Sequence, residues 1–132
     1  MLRFHTKNNP SEAFREFQIY DYLCAITDKL LGAPRCPEDK IAKRQYVQYE
    51  WVRITMELYR REKWFSSGLI YWMLNDCWPA CGWAIIDYYA RPKAAWYGFR
   101  RAAAPVVASI TEENGRYRLH VCCDGRAPAS GT

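Results

Sequence analysis

The chain has no apolar stretch of the roughly 18 residues that a membrane-spanning helix needs. In its aromatic region the longest charge-free segment is bracketed by Lys63 and Asp76, so no membrane partner is expected. The amino terminus, MLRFHTKNNPSEAF, lacks the apolar core that a secretory signal carries, and a cytoplasmic location is the expectation. No CxxC pair occurs among Cys24, Cys36, Cys77, Cys81, Cys122 and Cys123, and the two histidines, His5 and His120, stand far apart. Neither a metal nor an organic cofactor is indicated, and buried reduced thiols are expected in place of a disulfide framework. A basic run is also missing: 19 basic and 14 acidic residues give a net charge of +5, with the bases scattered among the acids. No nucleic-acid partner is expected from such a pattern.

What is present is apolar material for a core: 132 residues, 50% of them hydrophobic, are enough for one ordinary domain. Asn9, Pro10 and Glu12 have the character of a helix start. Ile19, Leu23, Ile26 and Leu30 then recur at helical spacing until Gly32 and Pro34 end the element. The spacing therefore predicts an amphipathic helix over 10–31. A second helix starts at CPEDK, where Glu38 and Asp39 suit the positive end of the helix dipole, and its body runs from Lys43 to Lys63. Its apolar stripe is Val47, Trp51, Ile54 and Leu58; Lys43, Glu50, Arg53, Glu57, Arg60 and Arg61 form an opposite face expected to be solvated.

After the breakers Ser66, Ser67 and Gly68, the run LIYWML has strand length and no polar alternation. A strand buried on both faces reads this way, as in the parallel sheet of an α/β fold. It ends at Asn75 and Asp76, where such folds place function. Residues 77 to 92 read as a loop rich in Trp, Pro and Tyr, and a third helix is expected from Pro92 until Pro105 ends it. VVASI, TEENG and RYRLHVCC then read as a β-hairpin with Asn114 and Gly115 at its left-handed turn positions.

Five of the six tryptophans lie between Trp64 and Trp96. Packing explains rings such as Trp64, Trp83 and Trp96. Sugar recognition is the competing reading for the group around YWMLNDCWP: an indole stacks on the C–H face of a pyranose while a fixed amide and carboxylate take its hydroxyls. Trp72, Asn75, Asp76 and Trp78 are the substrate-binding candidates.

The stretch GLIYWMLNDCWPACGWAIIDYYARPKAAWYGFRRAAAPV, Gly68 to Val106, closely resembles the strand-eight region of β-mannosidase-like enzymes of glycoside hydrolase family 2. HTKNN and YVQYEWVRITMELYRREK resemble the family's segments between strands seven and eight, so the likeness extends over nearly the whole chain. It implies an α/β fold: residues 1–104 as the C-terminal part of a (β/α)8 TIM barrel, and 105–132 as the first hairpin of an immunoglobulin-like β-sandwich, together a fragment. It also implies a retaining hydrolase that removes terminal β-linked mannose with two glutamates from earlier strands. Trp72 would floor the subsite for the terminal sugar, with Asn75, Asp76 and Trp78 on the pocket rim.

Met73, Gly82, Ala84 and Ala90 depart from the family pattern, which has Gln, Ser, Ser and Gly there in many members. No residue of this chain is assigned as catalytic: Glu12, Glu16, Glu38, Glu50, Glu57 and Glu62 fall on expected helix surfaces, and neither Asp76 nor Asp87 is assigned as nucleophile. The expected partners are an oligosaccharide with a terminal β-linked sugar and the rest of the parent barrel. An exo-β-glucosaminidase, a β-galactosidase and a non-catalytic carbohydrate-binding module are the alternatives.

Overall fold

The computed structural model describes residues 19–125, with side chains from Tyr22 onward. The expected helix start at Asn9, Pro10 and Glu12, and His5, lie outside the described residues. Three helices and one hairpin follow in order: α1 (Ile19–Leu31), α2 (Pro37–Arg61), α3 (Ala94–Ala102), β1 (Val106–Glu113) and β2 (Arg116–Cys123). Among the described residues no helix is long and apolar enough to cross a membrane.

Local chemistry sets the ends of these elements. The Cys36 Sγ accepts from the Asp39 N–H at 3.4 Å and caps α2, Pro37 opens it, and Glu38 and Asp39 occupy its first turn. The Asp39 carboxylate accepts from the Arg35 N–H at 2.9 Å and pairs with Lys43 at 3.1 Å. At the hairpin, Asn114 (φ 53°) and Gly115 (φ 74°) both take the left-handed conformation that a two-residue turn of this kind requires. The antiparallel register runs from Val106 opposite Cys123 to Glu113 opposite Arg116.

The core sits where α2 and α3 cross. Val52, Ile85 and Ala95 are buried there, with Tyr71, Ile86, Trp96 and Phe99 packed around them. Tyr71 meets Phe99 edge-on, with ring centroids 6.4 Å apart. The crossing is close because residue 98 has no side chain: a Cβ there would lie 2.6 Å from the Tyr49 carbonyl oxygen.

Three expectations about the helix faces are corrected. In α1 the buried position is Thr27, whose hydroxyl donates to the Leu23 carbonyl at 2.7 Å, while Leu30 is exposed. In α2 the inward face centres on Val52 and carries Gln45, Gln48, Tyr49 and Arg60, while Trp51, Ile54 and Leu58 are about half exposed. At about 100° per residue the packed face is thus displaced by roughly 150° from the apolar stripe, nearly to the opposite side of the helix. Glu57, expected on a solvated face, is buried, and both its oxygens accept from the one Arg53 Nη1, at 2.7 and 2.8 Å. Desolvation of that carboxylate is offset by this charge-assisted contact.

Arg60 joins three pieces of chain. Its guanidinium donates to the Ala102 and Ala104 carbonyls at the end of α3 and to the Asp124 carboxylate just beyond β2. Lys63 reaches the same carboxylate at 2.9 Å. Arg61 donates to the Ser109 hydroxyl on the buried side of β1 at 3.2 Å. The hairpin is held by these polar ties and by Val107, and its other face, with Ala108, Ile110, Leu119 and Val121, is exposed.

The expected buried strand does not form. Leu69 to Leu74 is an irregular segment outside any ladder, with bends at Trp72 and Leu74, Ile70 is 93% exposed, and its continuation makes only an isolated parallel bridge, Asn75 with Ile86. A strand buried on both faces needs neighbours on both edges, and among the described residues the only sheet is the two-stranded hairpin.

Gly98→Ala tests the helix crossing. The added methyl would force α2 and α3 apart, so a loss of about 1–3 kcal/mol is expected, read as a lower melting temperature by circular dichroism. An unchanged melt would show that the crossing is not close-packed.

Candidate functional site

The candidate residues sit where segment 69–74 passes into the loop before α3. The stem of this loop is closed by backbone hydrogen bonds: Ile85 and Ile86 N–H groups donate to the Leu74 carbonyl at 3.1 and 2.9 Å, and the Asp76 N–H donates to Ile86 at 3.0 Å. Trp72 is 76% exposed and Asn75 is exposed, while Trp78, farther into the loop, is 48% exposed. The Trp72–Met73 peptide is cis. Asn75 donates through Nδ2 to the Asp76 carbonyl at 3.4 Å.

Asp76 is placed differently from the expected rim carboxylate. It is 2% exposed, and its Oδ2 accepts from the Lys93 ammonium at 2.6 Å. The same ammonium donates to the Gly82 carbonyl at 3.3 Å, and the Lys93 N–H donates to Ile85 at 2.9 Å. Burial of a carboxylate is sustained here by a buried counter-charge. The structure therefore leaves Trp72, Asn75 and Trp78 at the surface and buries Asp76.

Further side chains hold the loop. The Tyr71 hydroxyl donates to the Trp83 carbonyl at 2.6 Å, and the Gln48 amide donates to the same oxygen at 2.8 Å. Burial raises the pKa of the Tyr71 phenol, with Gln48 acting in the opposite direction, which keeps it a donor. Gln45 Oε1 accepts from the Ala94 N–H at 2.8 Å and caps α3 from the neighbouring helix, because Lys93 at the N-cap makes no side-chain cap. Sequence reasoning missed Gln45, Gln48, Tyr71 and Lys93. Only the spacing of Gln45, Gln48 and Val52 on one face of α2, and the Lys-Ala of the family pattern, signalled them.

Asp87 organises the far end of the loop. Its carboxylate accepts from the Tyr89 and Arg91 N–H groups at 2.8 and 2.9 Å and from the Arg91 guanidinium at 2.8 Å. Burial pulls its pKa upward, but the hydrogen bonds from Arg91 and Tyr89 outweigh it and hold the carboxyl below its ordinary value. The turn it stabilises places Ala90 at φ 61°. This is where the resembling family often has Gly, and the left-handed geometry supplies the physical reason.

Of the remaining tryptophans, Trp96 packs on the core, Trp83 is half-buried, and Trp64, expected to pack, is 92% exposed. A cavity of about 310 Å³ lies apart from Trp72, between α1, α2 and the loop, with Leu23, Thr27, Ile41, Val47, Trp51 and Trp83 in its walls. Among the described residues no cluster of His, Cys, Asp and Glu could hold a metal ion. Cys36 and Cys77 are exposed and Cys24, Cys81, Cys122 and Cys123 half-buried, in place of the buried set expected.

Exposed indoles and an exposed amide on and next to a pinned loop suit a sugar-binding wall, and the relatives of the chain are glycosidases. Beta-mannosidase B of Thermothelomyces thermophilus is 34% identical over 122 residues, covering 89% of this chain and 13% of that protein. Beta-mannosidase B of Aspergillus niger is 31% identical over 148 residues, covering 99% of this chain and 16% of that protein. The crystal structure of the β-D-mannosidase from Dictyoglomus thermophilum superimposes with a TM-score of 0.79 at 26% identity, over 93% of this chain and 14% of that one. The Amycolatopsis orientalis exo-chitosanase CsxA, in complex with PNP-β-D-glucosamine, superimposes with a TM-score of 0.70 at 28% identity, over 90% of this chain and 14% of that one. No family model matches the chain. The chain is a β-mannosidase-like segment of the glycoside hydrolase family 2 type, and it spans only 13% and 16% of the two curated relatives above.

Two substitutions test the loop geometry. Ala90→Gly removes a Cβ from a left-handed position and is expected to stabilise the chain by about 0.5–1 kcal/mol; a lower melting temperature would contradict the turn. Asp87 has a depressed folded pKa, so its stabilisation is present above the ordinary Asp value of about 4 and is lost as pH falls through the lower folded value. Asp87→Asn should therefore melt earlier than the parent chain near neutral pH, and the gap should narrow below about pH 4. A gap that stays constant into strong acid would contradict this account.

Proposed function

We propose that the chain supplies the strand-eight wall of the sugar pocket in a retaining glycoside hydrolase that removes terminal β-linked mannose from oligosaccharides or glycoconjugates. Trp72 floors the subsite for the terminal sugar, Asn75 and Trp78 shape its rim, and Asp76 serves the rim from beneath by holding the loop. The acid/base and nucleophilic glutamates belong to earlier strands of the same enzyme, because retention requires two carboxylates about 5 Å apart across one glycosidic bond. The observation that carries the reading is the likeness to β-mannosidases over almost the whole chain, combined with the exposure of Trp72 on the segment that matches the family's sugar-facing strand.

In this reading residues 1–104 are the C-terminal part of a (β/α)8 barrel and 105–132 open a β-sandwich. Two uncovered surfaces support it. The half-exposed stripe Trp51, Ile54 and Leu58, together with segment 69–74, which belongs to no sheet, is the surface that further barrel units would cover. The exposed apolar face of the hairpin is the surface that a second sheet would cover.

The isolated chain is expected not to hydrolyse an aryl β-mannoside; turnover abolished by replacing Asp76 would overturn the proposal. Within the longer enzyme, Trp72→Ala should lower kcat/KM on that substrate by at least about tenfold, roughly 1.4 kcal/mol, and an unaffected value would remove Trp72 from the pocket. The exposure of both Trp72 and Trp78 also favours a second reading, a non-catalytic carbohydrate-binding module. Saturable binding of a mannoside by the isolated chain, lost in Trp72→Ala, would select it.

A further inference from the structure

We propose that Lys93 is a positioning residue for this wall: its one ammonium fixes the shape of the loop that presents Trp78. The inference rests on the sugar-wall reading for its purpose, but its geometry stands independently. Between Asp76 and Gly82 lie five residues, Cys77 to Cys81, which belong to no helix or strand. Both ends of that span are tied to the same Nζ, at 2.6 Å to Asp76 and 3.3 Å to Gly82.

The lysine is itself anchored. It is the N-cap of α3, its N–H is bonded to Ile85 at 2.9 Å, and the next N–H is held by Gln45 of α2 at 2.8 Å. Its side chain is 11% exposed and that of Asp76 is 1% exposed, so the pair is screened little by solvent. The ammonium thus transmits the fixed position of the α2–α3 crossing to the loop. A neutral side chain at residue 93 would fill the space without tying the two ends together.

A buried ion pair is a poor source of net stability, since well-packed apolar replacements often match it. What it provides here is direction: a carboxylate and a carbonyl must converge on one nitrogen. This distinction separates positioning from simple support. Asp76→Leu combined with Lys93→Met removes both charges, so no buried charge is left unpaired.

The experiment is amide hydrogen exchange and indole N–H NMR on the full chain, with the Trp78 resonance assigned through Trp78→Phe. In the double variant the melting temperature is expected to stay within about 4 °C of the parent. The Trp78 indole resonance should shift, and any measurable amides of residues 77 to 82 should exchange at least about tenfold faster. Unmoved Trp78 and unchanged loop exchange would overturn the proposal. Should the double variant fail to fold, Lys93→Arg keeps the charge and alters the reach: a displaced Trp78 resonance supports positioning, and an unmoved one refutes it. No sugar enters these readouts, so their failure is distinct from failure of the sugar-wall reading, which Trp72→Ala tests.

Discussion

An irregular stretch of backbone satisfies only some of its own carbonyls, and the segment from Asp76 to Lys93 is such a stretch: its N–H groups reach the Ile85, Ile86, Asp87 and Arg91 oxygens. Other oxygen atoms are taken up by side chains: Gln48 and Tyr71 at Trp83, and Lys93 at Gly82. This constraint explains why the inward face of α2 is more polar than its amphipathic pattern implies. Gln45, Gln48 and Arg60 each donate to or accept from the backbone of a distant segment, and each is spaced along the face centred on Val52. The close α2–α3 approach at Gly98 sets the distance over which those side chains must reach.

From that scaffold the site follows. The crossing fixes the start of α3, the start of α3 fixes Lys93, and Lys93 fixes both ends of the loop that carries Trp78. Asp87 performs a similar service at the far end through a tight turn that forces Ala90 into left-handed geometry. Trp72 and Asn75 are then left exposed on the segment that leads into this loop. An exposed indole and an exposed amide three residues apart suit the C–H face and hydroxyls of a pyranose.

Where the fold was legible in the sequence, the signal was local. The Cys-Pro-Glu-Asp start of α2, the Asn-Gly turn of the hairpin and the proline that bounds α3 act within a few residues of themselves. The inward face of α2 was not legible, because hydrophobicity marked Val47, Trp51, Ile54 and Leu58 while the packing used Val52 and its polar neighbours. The burial of Asp76 depends on a lysine 17 residues later, and no local pattern announces such a partner. The run LIYWML failed to become a strand for a related reason: a strand is a property of its neighbours as much as of its own residues. In the candidate site, the residues Trp72, Asn75 and Trp78 could be singled out by composition, whereas the residues that hold them could not.

The central claim is that this chain works as the pocket wall of a larger β-mannosidase-like enzyme. The most direct test is to sequence the source DNA upstream of the Met1 codon and translate it in frame. The account predicts an open frame of several hundred codons that encodes two glutamates at strand ends. A stop codon immediately upstream would contradict it and leave sugar binding by the chain alone as the function to be measured.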